Sequence, residues 1–462
     1  MRTFVPVTQS SDASQQVVAT PRVLRVAFCV SALVLLVGAA LFLVPDAVHA
    51  RACAIAACCL VLWLTELVPP FVPTLLLVVA TPLLLGSFDK AYRLPAVLSW
   101  SADPVLALFV GGFALAAAAQ RHGLDQLVAR QVVKLSRNRR RTMIALVLGG
   151  TALMAMWMSN IAAAALMLTA LDPVLQKANT ETRFRTAILL SIALGGNLGG
   201  MATPIGTGPN GIAISAVAGY HAVSFVSWMG FGVPLAGSLL LLAYVILIVR
   251  YRVEGSFVAE QWVRPADHPG SRWVIVVGGL AVLGWLSEPL HGVSAPLIAL
   301  GVAAVLFGTG VLAKDDLGRL DWSTLGLIAG GISLGRLIEQ TGILDQVASQ
   351  VEWTAYSSIA LLGALVVVAA LLSAVMSNTG TAAMLIPLAM SILPTPSTAI
   401  IIAMATSLGM PFVISTPPNA MAYSKGGITA TDLLVVGLLL MSVGCIVVTL
   451  TGGAVLRVFN LP

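Results

Sequence analysis

Residues 375–379 read Val-Met-Ser-Asn-Thr, closing one apolar run and opening another. Ser377, Asn378 and Thr379 would therefore sit deep among nonpolar residues, with no water to satisfy them. A second copy stands 218 residues earlier as Trp157-Met158-Ser159-Asn160-Ile161, again with apolar arms on both sides. Each copy is followed by a polar break, Gly206-Thr207-Gly208-Pro209-Asn210 in the first half and Ser415-Thr416-Pro417-Pro418-Asn419 in the second. Matched interruptions in matched halves of an apolar chain mark a binding site near a bilayer midplane.

The composition fixes that environment. The chain is 58% hydrophobic and 10% charged, with a mean hydropathy of +0.97. No soluble core hides so much apolar surface, so an all-α polytopic membrane protein is expected. Cys29, Cys53, Cys58, Cys59 and Cys445 all fall in apolar segments and read as small core residues, with neither a disulfide nor a metal implied. The histidines are scattered without ligand spacing, so no transition metal and no cofactor is expected. No intramembrane cluster of acids, bases or metal ligands is visible, which argues against a membrane-embedded enzyme. Residues 1–22 read as a disordered polar tail without the compact pattern of a signal peptide.

Apolar stretches long enough to span occur at about 23–44, 50–68, 71–86 and 103–120. The stretch 142–178 is split at Ser159-Asn160, 186–220 is split at Gly206–Asn210, and 228–249 closes the half. The second half gives 273–287, 294–312 and 322–338, then 356–393 split at Ser377-Asn378, 398–425 split at Ser415–Asn419, and 431–456. An apolar segment split by a polar tip, too short for two spans and a loop, suits a hairpin that enters halfway and returns. This gives eleven spans plus two re-entrant hairpins. With the N-terminus in the cytoplasm, only Arg51, Lys90, Arg93, Arg336 and Arg457 of the 25 Lys/Arg fall outside. That bias sets the orientation and puts the C-terminus outside.

The halves match beyond their tips. Trp63-Leu64-Thr65-Glu66 recurs as Trp285-Leu286-Ser287-Glu288, and Gly111-Gly112 recurs as Gly330-Gly331. Gly123-Leu124-Asp125-Gln126 recurs, with one insertion, as Gly342-Ile343-Leu344-Asp345-Gln346. Five spans per repeat is an odd number, so the repeats insert in opposite directions. Residues 23–250 hold the first repeat with a hairpin, 142–178, opening to the cytoplasm; 251–272 form a cytoplasmic linker; 273–462 hold the second, with a hairpin, 356–393, opening outside.

Serine and asparagine cap helix starts, so the tips could be caps and nothing else. Capping accounts for one polar residue per tip, however, not for an Asn beside a hydroxyl and a second polar break downstream. Helix N-termini, hydroxyls and amides attract an anion, each terminus contributing up to ~2 kcal/mol. Released carbonyls and Asn oxygens suit a small hard cation such as Na⁺. No Lys or Arg lies at the tips, so a divalent anion would need co-bound cations. Asp172 reads as a hydrated residue near a span end in preference to a proton site, and Glu66 and Glu288 as partners of backbone groups in preference to gates.

The paired tips, the two (Ser/Thr)-x-Pro-Asn breaks and the Trp-Leu-(Thr/Ser)-Glu pair resemble the divalent anion/sodium symporter family over about residues 23–457. The resemblance implies a homodimer in a bacterial inner (plasma) membrane, with spans 1–4 and 7–9 as a scaffold. The hairpins, broken helices and spans 6 and 11 would form a transport domain that moves as an elevator. It implies sodium ligands at Ser159, Asn160 and Gly206, and at Ser373, Asn378 and Ser415. It implies substrate contacts at Asn160, Thr207, Ser377, Asn378, Thr379 and Thr416. The substrate class would be C4-dicarboxylates, citrate or sulfate, taken up with sodium or, alternatively, exchanged without it. The chain departs from the family at Ile161, where a Thr is expected, at Ala155, where a Ser is expected, and at Gly208, which replaces the first Pro.

Overall fold

The computed structural model describes residues 22–458 apart from 66, 178–181, 221, 258–270 and 344–352. Expectations for the N-terminal tail, Glu66, most of the linker, the stretch after Gly342-Ile343 and the last four residues lie outside the described residues.

The first half folds as α1 (Arg22–Leu43), α2 (Ala47–Thr65), α3 (Val72–Leu85), α4 (Leu94–Trp100), α5 (Pro104–Arg121) and α6 (Leu124–Leu135). It continues with α7 (Arg140–Ala155), α8 (Asn160–Ala170), α9 (Asp172–Lys177), α10 (Thr182–Gly199), α11 (Gly208–Val217) and α12 (Phe225–Tyr251). The second half gives α13 (Ser271–Leu286), α14 (Glu288–His291), α15 (Ala295–Gly308) and α16 (Trp322–Thr341). It ends with α17 (Ser358–Ser373), α18 (Asn378–Ile392), α19 (Pro396–Thr406), α20 (Pro417–Ser424) and α21 (Ala430–Val458). Among the described residues five helices, in α1, α2, α5, α12 and α21, are long and apolar enough to cross a bilayer, and several shorter apolar helices accompany them. The protein is an all-α polytopic membrane protein. Three segments read as full spans form shorter helices, of 14 residues in α3 and α15 and 16 in α13. At 1.5 Å per residue, 14 residues reach about 21 Å, less than a bilayer's apolar thickness.

Both tips break where expected. The α7–α8 and α17–α18 pairs are separated at residues 156–159 and 374–377, and α10–α11 and α19–α20 at 200–207 and 407–416, so each Pro-Asn pair lies in the first turn of the helix after the break. The halves are matched by an internal pseudo-symmetry that is clearest where they interlock. Helix α5 of the first half packs on α15 of the second, and α16 packs on α3. The repeated glycine pairs allow this. A Cβ on Gly111 would stand 2.3 Å from the Ala299 carbonyl oxygen, and one on Gly330 2.1 Å from Thr74 Oγ1. The second glycine of each pair faces the broken helices and hairpins: Gly112 lies against Ile205, and Gly331 against Ala383 and Ile212. Gly123 and Gly342 both follow the end of their helix with positive φ, 66° and 68°, which a Cβ would strain.

The hairpins are held against the broken helices by the same device. Gly195 and Gly199 bring α10 onto the backbone of α7, and Gly409 brings the second break onto Ser373 and Ala374. One aromatic group anchors the first tip: Trp157 stacks 6.0 Å from both Phe225 and Trp285, which stand 4.9 Å from each other. Beside it, Glu288 accepts from the Phe225 and Ala295 backbone N–H groups, both at 3.2 Å. Glu288 is thus the backbone partner its position suggested.

Replacing Gly111 with Ala places a methyl against fixed backbone of α15, so a loss of about 1–3 kcal/mol is expected. The cost should appear as a lower thermal midpoint in detergent. Gly149→Ala, with nothing within 4 Å of its added Cβ, should not show it.

Candidate functional site

A cavity of about 1270 Å³ opens onto both tips and both breaks. Ser159, Asn160, Gly206, Thr207, Ser377, Asn378, Thr379, Ser415 and Thr416 all line it, so these separate stretches of sequence form one place. Ser373 does not line it; it is fully buried behind Asn378. Among the described lining residues the single charged side chain is Asp321, which shares the wall with Thr324, Phe109 and Phe113.

The serines at the tips are caps. Ser159 Oγ accepts from the Ala162 N–H at 3.3 Å, and Ser377 Oγ from the Gly380 N–H at 3.1 Å. The asparagines beside them are not spent in this way. Asn160 Oδ1 is buried without a hydrogen-bond partner. It crowds Gly200 together with the Gly206 carbonyl: a Cβ there would lie 2.5 Å from Asn160 Oδ1 and 2.9 Å from that oxygen. In the second half, Ser373 Oγ donates toward Asn378 Oδ1 at 2.8 Å and toward the Thr406 carbonyl at 2.6 Å.

The breaks are stapled by the asparagine of each Pro-Asn pair. Asn210 Nδ2 donates to the Gly200 and Thr203 carbonyls at 2.9 and 2.8 Å. Asn419 Nδ2 donates to the Met410 and Phe412 carbonyls at 3.0 and 2.9 Å. Each loop is also tied to its hairpin tip by a hydroxyl: Thr203 Oγ1 donates to the Met156 carbonyl at 2.5 Å, and Ser415 Oγ to the Ala374 carbonyl at 2.7 Å.

Asn197 is a cavity residue that sequence reasoning missed. Both amide protons of Asn419 go to carbonyls, so its Oδ1 accepts, and Asn197 Nδ2 is the donor at 2.9 Å. This fixes the Asn197 carboxamide and leaves its Oδ1 buried and unpartnered. Its signal was a lone amide in the run Leu194-Gly195-Gly196-Asn197-Leu198. Asp321 and Thr324 were missed as well; their signal is the aspartate at the start of α16, matching Asp103 at the start of α5.

The two halves meet across the site. A Cβ on Gly208 would lie 2.4 Å from Thr379 Oγ1, which explains why this chain has no proline there. Helix α8 packs on α20, and α18 on α11, so each hairpin arm leans on the other half's broken helix. At the open end of the first hairpin, Asp172 pairs with Lys425 Nζ at 2.9 Å and accepts from Gln176. The hydrogen bond from Lys425 holds its carboxyl below the usual carboxylate range, so Asp172 stays ionised near neutral pH.

Residues 60–396 and 282–460 match the family described as citrate transporter. The chain belongs to the citrate transporter family. An uncharacterized transporter of Haemophilus influenzae is 30% identical to it, over 85% of this chain and 88% of that protein. The sodium-dependent dicarboxylate transporter SdcS of Staphylococcus saprophyticus is 25% identical, over 84% of this chain and 82% of SdcS. The inorganic phosphate transporter PHO87 of Saccharomyces cerevisiae is 24% identical, over 90% of this chain but 47% of PHO87. This member of the citrate transporter family is a secondary-active anion transporter and not an enzyme.

Gly208→Ala is expected to push the Thr379 hydroxyl out of place while leaving the fold intact. Losing one hydrogen bond to a charged ligand lowers affinity by about tenfold. The check is the shift in thermal midpoint on titration with succinate, citrate or phosphate, compared between the variant and the parent.

Proposed function

We propose that this chain is a sodium-coupled symporter of a small divalent anion, with a C4-dicarboxylate or related carboxylate as the first choice. The observation that carries the reading is the oxygen set behind the second tip. One Ser373 proton faces two acceptors, Asn378 Oδ1 and the Thr406 carbonyl, so three oxygens converge on a single hydrogen. A small hard cation coordinated by these oxygens relieves that excess. Asn160 Oδ1 and the Gly206 carbonyl offer a second, thinner set, in which Ala155 stands in place of Ser373. Ser159 and Ser415 complete the two sodium sites through their backbone.

The anion lies between the tips, against the N-termini of α8, α18, α11 and α20. Asn160, Thr207, Ser377, Asn378, Thr379 and Thr416 are its contacts. With Asp321 as the only charged side chain among the described lining residues, a dianion needs bound cations to offset its charge. The similarity to SdcS supports both the sodium and the dicarboxylate. A second reading, an oxyanion such as phosphate, is favoured by the similarity to PHO87 and by Ile161, which removes one hydroxyl from the first tip. Sodium-independent exchange is the further alternative.

In this reading the halves are inverted repeats. Helices α1–α5 and α13–α16 form the scaffold of a homodimer, with α6 as an interfacial arm. The hairpins, the broken helices, α12 and α21 move together as an elevator, with the N-terminus on the cytoplasmic side.

Two experiments test the proposal. Asn378→Ala removes an oxygen from the cation and an amide from the anion, so apparent affinity for both should fall at least about tenfold. Unaltered affinity in proteoliposome uptake would show the tip to be only a cap. The pair Ala155→Ser and Ile161→Thr restores one oxygen ligand and one hydroxyl with little added volume. It should steepen the dependence of uptake on Na⁺ and favour succinate over phosphate or sulfate as competitor. A parent whose uptake ignores an imposed Na⁺ gradient would leave exchange as the mechanism.

A further inference from the structure

The two halves differ in one contact between the moving elements and the scaffold. Asp103 caps α5, accepting from the Val105 N–H at 2.9 Å, and its other oxygen accepts from Ser215 Oγ of the broken helix α11 at 2.6 Å. Asp321 caps α16, the matching helix, and accepts from the Thr324 N–H at 3.0 Å. Ser424 holds the place of Ser215: each stands five residues after the asparagine of its Pro-Asn pair. Yet Ser424 is exposed, its hydroxyl turned back onto the Met421 carbonyl at 2.8 Å. Asp321 meanwhile lines the open cavity, its second oxygen taken by Thr324 Oγ1 at 2.7 Å. The first half has no such stand-in, because Leu106 occupies the position of Thr324.

Asp321 and Thr324 line the cavity, whereas Asp103 and Ser215 are not among its lining residues. The aromatic stack at the first tip cannot be rebuilt at the second, since Val375 takes the place of Trp157. The Asp–Ser pair is written in both halves.

We propose that Asp103–Ser215 and Asp321–Ser424 are alternating latches. The first holds the state described above, with the cavity open beside Asp321. In the opposite state the moving elements carry Ser215 away from Asp103 and bring Ser424 to Asp321, displacing Thr324. The four residues are positioning residues for the transport cycle; none of them needs to touch the anion. This rests on the alternating, inverted-repeat reading above.

The experiment removes only hydroxyls, which leaves both aspartate caps in place. In a background whose native cysteines are replaced, a cysteine at Ile414, an exposed cavity residue, reports the state through its labelling rates by an impermeant thiol reagent added to either face of proteoliposomes. Losing a hydrogen bond to a carboxylate should move the ratio of the two rates by about tenfold. Ser215→Ala should lower labelling from the cavity face relative to the other face, and Ser424→Ala should raise it. The second result is the sharper one, because among the described residues the Ser424 hydroxyl bonds only to Met421 of its own helix. A parent labelled from both faces whose ratio is unmoved by Ser424→Ala, or moved the same way by both variants, overturns the latch. A parent labelled from one face alone overturns the alternating reading beneath it.

Discussion

A helix broken inside a nonpolar layer strands backbone N–H and C=O groups that nothing around them can satisfy. Leaving one such group buried and unpaired costs roughly 1–3 kcal/mol in a protein interior. The structure depends on how two asparagines meet that cost. Asn210 and Asn419 each send both amide protons to carbonyls of the unwound loop that precedes them. Proline at the preceding position starts the next half-helix without an N–H to satisfy. Serine then caps each hairpin arm. With the backbone largely provided for by these few side chains, other polar groups at the tips remain available.

What remains is not symmetric. The second tip has Ser373 behind Asn378; the first has Ala155 behind Asn160, whose oxygen is unpartnered. Asn197 stands at the place of Thr406 and, after Asn160, brings a second unpartnered amide oxygen on a cavity-lining residue to the first half. Gly208 stands at the place of Pro417, and Thr379 occupies the space this leaves. A duplicated architecture does not require duplicated sites, because the pseudo-symmetry rests on close contacts at glycines, which leave the tip side chains other than the capping serines free to differ.

The architecture was legible because it is written in patterns. Paired polar tips, Pro-Asn breaks and Gly-Gly pairs each impose a local conformation, so their repetition announced the halves before any contact was seen. The roles of Ser159 and Ser377 as caps were equally readable. Helix lengths were less so: α3, α13 and α15 sit in apolar runs whose ends are set by turns and tertiary packing, which hydropathy does not report. Asn197 was hidden for a different reason. An amide in a glycine-rich run has no local pattern, and its importance arises only from Asn419, 222 positions away along the chain. Asp103 and Asp321 drew no reading from the sequence, since a lone aspartate before a helix does not tell which other helix will reach it.

The electrostatics of the cavity then constrain the mechanism more tightly than any single contact. A divalent anion placed here meets helix N-termini and neutral hydrogen-bond donors, and its one charged neighbour among the described lining residues repels it. Each N-terminus supplies about half an elementary charge at most. Such partial charges attract an anion only while the site is dry and the dipoles stay in register, which the stapled breaks secure. Full neutralisation calls for mobile cations, and the surplus oxygens at the tips lie within the same few residues as the anion's donors. A cation bound at Asn378 therefore acts on the anion at short range and through the same side chain. In the proposed symporter, coupling of the two ions would follow from that shared asparagine, since neither ion could bind without changing what the carboxamide offers to the other.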